Sequence, residues 1–270
     1  MDPRPVPVPD SRVGEVYATL IVVVAVVWGG ATGLLLPRAA YRLSVEPEEP
    51  WRHSCPAGHP ITGPARGWLG GVRCAGCDVA AVPSRTAESP YAPSPLVPLL
   101  TALVCAALAA ATGPRPELVV WLLAAPVAVL LALVDLRVHR LPDVLTLPLA
   151  AATLALLGIA AALPADAGSW LTALYGGLAL GATYEVLYLV NPSGMGFGDV
   201  KLALGLGTAL GWYGWPVLVT GAFAGVLYGA VYGLGMVALR RAGRKTAIPL
   251  GPFMLGGAFT GVVLGAFAVA

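Results

Sequence analysis

The chain has 270 residues, 57% of them hydrophobic and only 11% charged, with a mean hydropathy of +0.79. An average soluble domain carries about 25% charged residues, so this composition belongs in lipid and excludes an ordinary soluble domain. A formal net charge of +2 provides no basic face for a nucleic-acid backbone, which sets a nucleic-acid partner aside.

Residues 1–13 form a tail of mixed charge, and an apolar stretch from about Gly14 to Pro37 follows it. A cleaved signal peptide has its positive charges before the apolar run and a small-residue cleavage site after it. Here Arg38 and Arg42 come after the run, so it reads as a retained transmembrane helix that starts outside and ends in the cytoplasm. Residues 38–94 are the only long extramembrane piece, rich in Pro, Gly and Arg and without a sustained helical or strand period. That pattern predicts a cytoplasmic loop or a very small domain. Within it, Cys74-Ala-Gly-Cys77 is a close pair that in a reducing compartment reads as metal ligation rather than as a disulfide. Cys105 lies in an apolar run and reads as core.

A bilayer core about 30 Å thick takes about 20 apolar residues per helix. Counted against that length, the apolar windows predict an all-α membrane protein, a polytopic bundle of about eight transmembrane helices with one cytoplasmic loop domain. The spans run approximately Gly14 to Pro37, Pro95 to Thr112, Leu118 to Val134, Val144 to Leu163, Trp170 to Val190, Val200 to Trp212, Pro216 to Leu239 and Pro249 to Ala270, so residues 95–270 form the membrane core. The sixth is short, and either begins in a membrane-embedded loop or extends through Gly214. Arg and Lys placement agrees with an outside N-terminus and an outside C-terminus. The inside loops hold Arg38, Arg42, Arg52, Arg66, Arg73, Arg85, Arg137, Arg140, Lys201, Arg240, Arg241, Arg244 and Lys245, and only Arg4, Arg12 and Arg115 fall outside. Glycines at 176, 177 and 181 and at 256, 257 and 261 suit close helix packing.

Few of the fourteen acidic residues fall in or at the spans, where a carboxylate at mid-bilayer costs roughly 2.5 to 3.5 kcal/mol. Asp135 ends the third span, in Leu133-Val134-Asp135-Leu136-Arg137-Val138-His139-Arg140-Leu141-Pro142-Asp143. Asp199 opens the sixth, in Gly194-Met195-Gly196-Phe197-Gly198-Asp199-Val200-Lys201-Leu202. Under the predicted topology both face the cytoplasm at one membrane depth. Glu185, inside the fifth span with no motif around it, reads as a hydrogen-bonding residue of the bundle. Three alternating glycines let the backbone approach a neighbour or a peptide closely, and a carboxylate at a helix start has backbone donors that favour its ionised form. A second carboxylate nearby is then pushed toward the protonated form. One base and one acid is what water attack on a peptide bond requires. The plainer alternative makes Asp135 a membrane-edge anchor and Asp199 an N-cap.

These stretches resemble the type IV prepilin peptidases. Gly194 to Leu202 is similar to the family's Gly-x-Gly-x-Gly-Asp-x-Lys-Leu signature, and Asp135 to Asp143 is similar to its first aspartate motif. Gly33 to Leu43 resembles the exit of its first helix, Pro95 to Leu103 the start of its second, and Ile248-Pro249-Leu250-Gly251-Pro252-Phe253 the start of its last. The resemblance implies an aspartic endopeptidase of the bacterial cytoplasmic membrane. Such an enzyme cleaves leader peptides of prepilins or pseudopilins at the cytoplasmic face, with Asp135 and Asp199 as catalytic pair and no cofactor for proteolysis. Gly194, Gly196, Gly198 and Lys201 would support the catalytic loop, with Lys201 either holding the Asp199 region or sitting at the lipid headgroups. Asp143 competes for the first catalytic place, but it follows Pro142 and reads as a cap of the fourth span.

Family members often carry two Cys-x-x-Cys pairs that bind zinc in this loop, a region associated with methylating the new N-terminus from S-adenosylmethionine. This chain departs from the pattern: beside Cys74 and Cys77 stands His53-Ser54-Cys55-Pro56-Ala57-Gly58-His59. Three thiolates and one imidazole satisfy tetrahedral zinc, which makes Cys55, His59, Cys74 and Cys77 the preferred ligands, with His53 as substitute for His59. The alternative is a relic loop with reduced thiols. No glycine-rich strand-to-helix turn marks a cradle for S-adenosylmethionine, so methyl transfer rests on the resemblance alone. Two other functions stay open: another Gly-x-Gly-Asp protease of the preflagellin or presenilin type, and a channel or transporter with carboxylates at a cation site.

Overall fold

The computed structural model describes residues 11–46, 48–71, 74, 77, 95–192, 194–239 and 248–269. The tail before Ser11, Arg73, Arg85 and the basic run Arg240 to Lys245 lie outside the described residues. Each of the eight apolar windows is helical: α1 Ser11–Leu43, α2 Leu96–Thr112, α3 Glu117–Val138, α4 Asp143–Ala160, α5 Trp170–Val190, α6 Phe197–Trp212, α7 Trp215–Ala238 and α8 Gly251–Ala268. Six of them, α1, α3, α4, α5, α7 and α8, are long and apolar enough to cross a membrane; α2 is a shorter apolar helix, and α6 has 16 residues. The chain is a polytopic helical membrane protein.

Several boundaries differ from the sequence expectation, each for a local reason. The first helix runs past Pro37 to Leu43. At 1.5 Å per residue its 33 residues reach about 50 Å, well beyond a hydrocarbon core of about 30 Å, while Ala39, Ala40 and Leu43 in the turns that bear Arg38 and Arg42 stay packed against Val97 of α2 and Val129, Leu130 and Val134 of α3. α3 continues to Val138 and stops at His139, which takes a left-handed conformation at φ 50. α6 begins at Phe197 rather than Val200, because Asp199 caps it from within its first turn.

Helices α5 and α6 pack most closely, through glycines. A Cβ on Gly176 would lie 2.7 Å from the Gly207 carbonyl oxygen and 2.9 Å from Gly211 Cα, so only glycine lets these backbones touch. Gly257 and Gly261 of α8 do the same against Gly221 of α7, whereas Gly256 meets only the Tyr228 ring at ordinary contact distance. Leu131, Leu157, Leu202 and Leu210 fill the centre, and Val134 joins a second buried cluster with Leu36, Val97 and Leu130. At the end of α3 remote from Asp135, the fully buried Glu117 lies 3.6 Å from Arg115, whose guanidinium also donates to the carbonyls of Ala111, Thr112 and Ala266. Glu185 is half-buried.

The loop after α1 is organised by two arginines that the sequence reading used only as topology markers. Arg38 donates to the carbonyl oxygens of Gly71 and Thr62 at 3.1 and 2.9 Å. Arg42, 3% exposed, donates to the Arg66 carbonyl at 2.9 Å and stacks on the Trp68 ring, 4.0 Å from its centroid. A short hairpin, Cys55 N–H to His59 O and Ile61 N–H to His53 O, both 2.9 Å, shapes the segment between them.

Candidate active site and metal centre

Asp135 occupies the last turn of α3 and is 4% exposed. Its Oδ2 accepts a hydrogen bond of 2.9 Å from the Gly251 N–H at the start of α8. Gly251 has to be glycine for this approach, since a Cβ there would stand 2.8 Å from Asp135 Oδ2. Asp199, 7% exposed, sits in the first turn of α6, and its Oδ2 accepts 3.1 Å from the Gly196 N–H. Each carboxylate therefore takes a backbone donor at a helix start, where unsatisfied N–H groups and the helix dipole stabilise negative charge.

The two carboxylates line one cavity of about 390 Å³, together with Trp51, His139 to Val144, Gly196, Phe197, Gly198 and Lys201. Its walls meet where Gly198 presses on Leu141: a Cβ at 198 would come within 2.9 Å of the Leu141 Cβ. That contact gives the third glycine of the signature a steric reason. Gly196 supplies the N–H to Asp199, and Gly194 is in a turn with its N–H bonded to Asn191 O at 3.1 Å.

Lys201 extends to Asp143, Nζ to Oδ2 2.6 Å, and lies over the Phe197 ring at 4.9 Å. It thereby ties the Asp199 helix to the first residue of α4 and points at neither Asp135 nor Asp199. Asp143 is at the head of α4, on the cavity rim and paired with a lysine, with its side chain 57% exposed. Sequence reasoning missed Gly251 as a partner of Asp135 and missed His139, Arg140 and Trp51 in the cavity wall. The motif match at Gly251 was visible, but nothing in it revealed which carboxylate the N–H would meet.

The four proposed metal-ligating residues come together. The ligand atoms of Cys55, His59, Cys74 and Cys77 all lie within 4.8 Å of one another, with Cys55 Sγ to Cys77 Sγ at 3.7 Å and Cys77 Sγ to His59 Nδ1 at 3.4 Å. A tetrahedron with metal–sulfur bonds of about 2.3 Å has edges of about 3.8 Å, so the spacing fits a zinc-sized ion. Burial opposes ionisation of Cys55, but hydrogen bonds from the His59 and Ala57 backbone outweigh it and bring the thiol down to about 7. Burial and the neighbouring Cys55 and Cys74 sulfurs push Cys77 up to about 11. His53 is not among the four clustered residues, and its Nδ1 lies 3.0 Å from Arg42 Nη2.

Residues 121–234 match the type IV leader peptidase family. The chain is 35% identical over 210 residues to a prepilin leader peptidase/N-methyltransferase of Aeromonas salmonicida, an alignment covering 75% of this chain and 68% of that protein. An Aeromonas hydrophila protein of the same name matches with the same identity and coverage. One from Pseudomonas aeruginosa is 35% identical over 163 residues, 59% of this chain and 54% of its own length. No solved structure gives a significant match.

Proposed function

Because the chain belongs to the type IV leader peptidase family, we propose that it is an aspartic endopeptidase that cleaves the leader peptides of prepilins or pseudopilins, with Asp135 and Asp199 as the catalytic pair. The observation that carries the residue assignment is the shared cavity: two buried carboxylates from different helices, each held by a backbone N–H, face one space large enough for a peptide segment and a water. Two carboxylates facing one small space do not both ionise cheaply. The ionised one takes a proton from the attacking water, and the protonated one gives its proton to the departing amine nitrogen as the carbon–nitrogen bond breaks. The two then exchange roles, and the site is ready to turn over again.

The cavity opens at the end of the bundle that carries the Arg-rich loop, and the six arginines of that loop support placing this end at the cytoplasmic face. A substrate whose apolar segment lies in the bilayer and whose leader stays in the cytoplasm would then cross the site at the membrane edge. Cys55, His59, Cys74 and Cys77 would hold zinc, which bound there would cross-link a loop too small to bury a core of its own. N-methylation, which the relatives' names add, has only that resemblance in its favour. The test is to incubate the purified protein with candidate prepilins from the same genome and read the product N-terminus by mass spectrometry. A single new N-terminus just ahead of the apolar segment is expected. Intact substrates under conditions in which the fold is preserved would remove the proposal.

A further inference from the structure

Trp51 is the one described cavity-lining residue contributed by the loop; every other described one comes from the last turn of α3, the α3–α4 connection, the start of α4 or the start of α6. The residue is 40% exposed, and its ring has a partner within the loop. The Trp68 ring meets it edge-on, with centroids 5.2 Å apart and planes at 84°. Trp68 is in turn pinned by the buried Arg42 guanidinium, and the Arg52 N–H bonds the Arg42 carbonyl at 3.2 Å. On the far side Arg140, in the connection that follows Asp135, donates to the Glu46 carbonyl at 3.0 Å. A large, partly exposed aromatic side chain is thus backed by Trp68 and lines the cavity that both carboxylates also line. Aromatic residues held in that way, with few rotamers to lose, make efficient contact surfaces for a peptide.

We propose that Trp51 is a substrate-contact residue: its indole packs against the extramembrane leader segment of the cleaved protein as that segment passes over Asp135 and Asp199. This rests on the peptidase reading above. The leader side follows from geometry, because Trp51 belongs to the extramembrane loop and can meet only the part of a membrane-inserted substrate that stays outside the bilayer. Trp51 stands four positions before the metal-cluster residue Cys55, so the loop that gathers the cluster also carries the indole. The extended peptide is bound through apolar contact with the ring, and the chemistry remains with the carboxylates.

The test is steady-state cleavage of a prepilin from the same genome by wild-type protein, Trp51→Ala, Trp51→Phe and Asp199→Asn, with metal content and Tm measured on each. Trp51→Ala should raise KM on the order of tenfold, the loss expected when a modest apolar contact disappears, with kcat within about twofold, and Trp51→Phe should recover most of the loss. Independently, p-benzoylphenylalanine at position 51 in the Asp199→Asn background should cross-link to the uncleaved substrate within its leader. An unchanged KM, a fall in kcat alone, loss of metal and Tm without rescue by Phe, or a cross-link confined to the mature segment would overturn the assignment while cleavage by wild type and its absence in Asp199→Asn leave the peptidase reading standing. If wild type fails to cleave, it is the parent reading that falls.

Discussion

Gly251→Ala should impair cleavage although residue 251 carries no functional side chain. The added methyl would sit 2.8 Å from Asp135 Oδ2, 3.2 Å from its Cγ and 3.4 Å from Leu141 Cδ2. The first of these is a distance that real Cβ atoms do not tolerate, so the carboxylate must swing away and surrender the 2.9 Å bond from the Gly251 N–H. A hydrogen bond to a charged group contributes about 1.5–3 kcal/mol, and a misplacement of about 1 Å costs on the order of a hundredfold in rate. Together these set an expected loss in kcat of about 10- to 100-fold. Gly256→Ala is the control on the same helix, because its Cβ would meet only Tyr228 at 3.6 Å, and it should cleave like wild type. Both variants are read in a detergent-solubilised cleavage assay, with thermal unfolding to show that α8 still packs. Full activity in Gly251→Ala with an unchanged Tm would refute the view that this N–H positions Asp135.

Asp135→Asn and Asp199→Asn, each alone, should lower cleavage by about 10²- to 10⁴-fold without changing expression or membrane insertion, since a pair doing general acid–base work fails when one member cannot titrate. Asp143→Asn should keep substantial activity and shift stability by no more than about 1 kcal/mol, because its bond to Lys201 is a largely exposed ion pair; a dead Asp143→Asn beside an active Asp135→Asn would reverse the assignment. Replacing Cys74 and Cys77 with Ser should release about one zinc per chain by elemental analysis while peptide-bond cleavage survives in weakened form, and a wild-type protein without near-stoichiometric zinc removes the metal centre. Reporter fusions after Gly76 and after Gly243 should both give the cytoplasmic signal and one after Ala270 the outside signal; opposite signals for the first two break the eight-span topology.

The helices were legible because the bilayer sets their length and hydrophobicity, and those two quantities survive in any single apolar window. Their ends were less so. α1 overshoots because Arg38 and Arg42 are satisfied by loop carbonyls more than twenty residues away, partners that no local pattern names. α3 overshoots because the next turn, Asp135 to Val138, carries an aspartate and an arginine that a hydropathy window rejects. The structure accepts both, the aspartate on a backbone donor from α8.

The same distinction separates what could be read of the site from what could not. Asp199, Gly196 and Gly198 act within one turn of each other, so the spacing of the signature already contains the cap on α6 and the room it needs. Asp135 depends on Gly251, 116 positions away, and the cavity depends on Trp51, 84 positions before Asp135 on a loop with no periodicity at all. Long-range partners of this kind follow from how α8 and the loop dock on the bundle, and docking is decided by backbone contact at glycines and by buried arginines rather than by any repeat in the chain. A protease core and a metal-gathering loop look separable along the sequence, yet an indole from the loop lines the same cavity as the two carboxylates of the core. Weakening the metal cluster should therefore be felt first as weaker substrate binding, with the rate of the chemical step left nearly intact, and a cysteine double variant that lost kcat at unchanged KM would contradict that coupling.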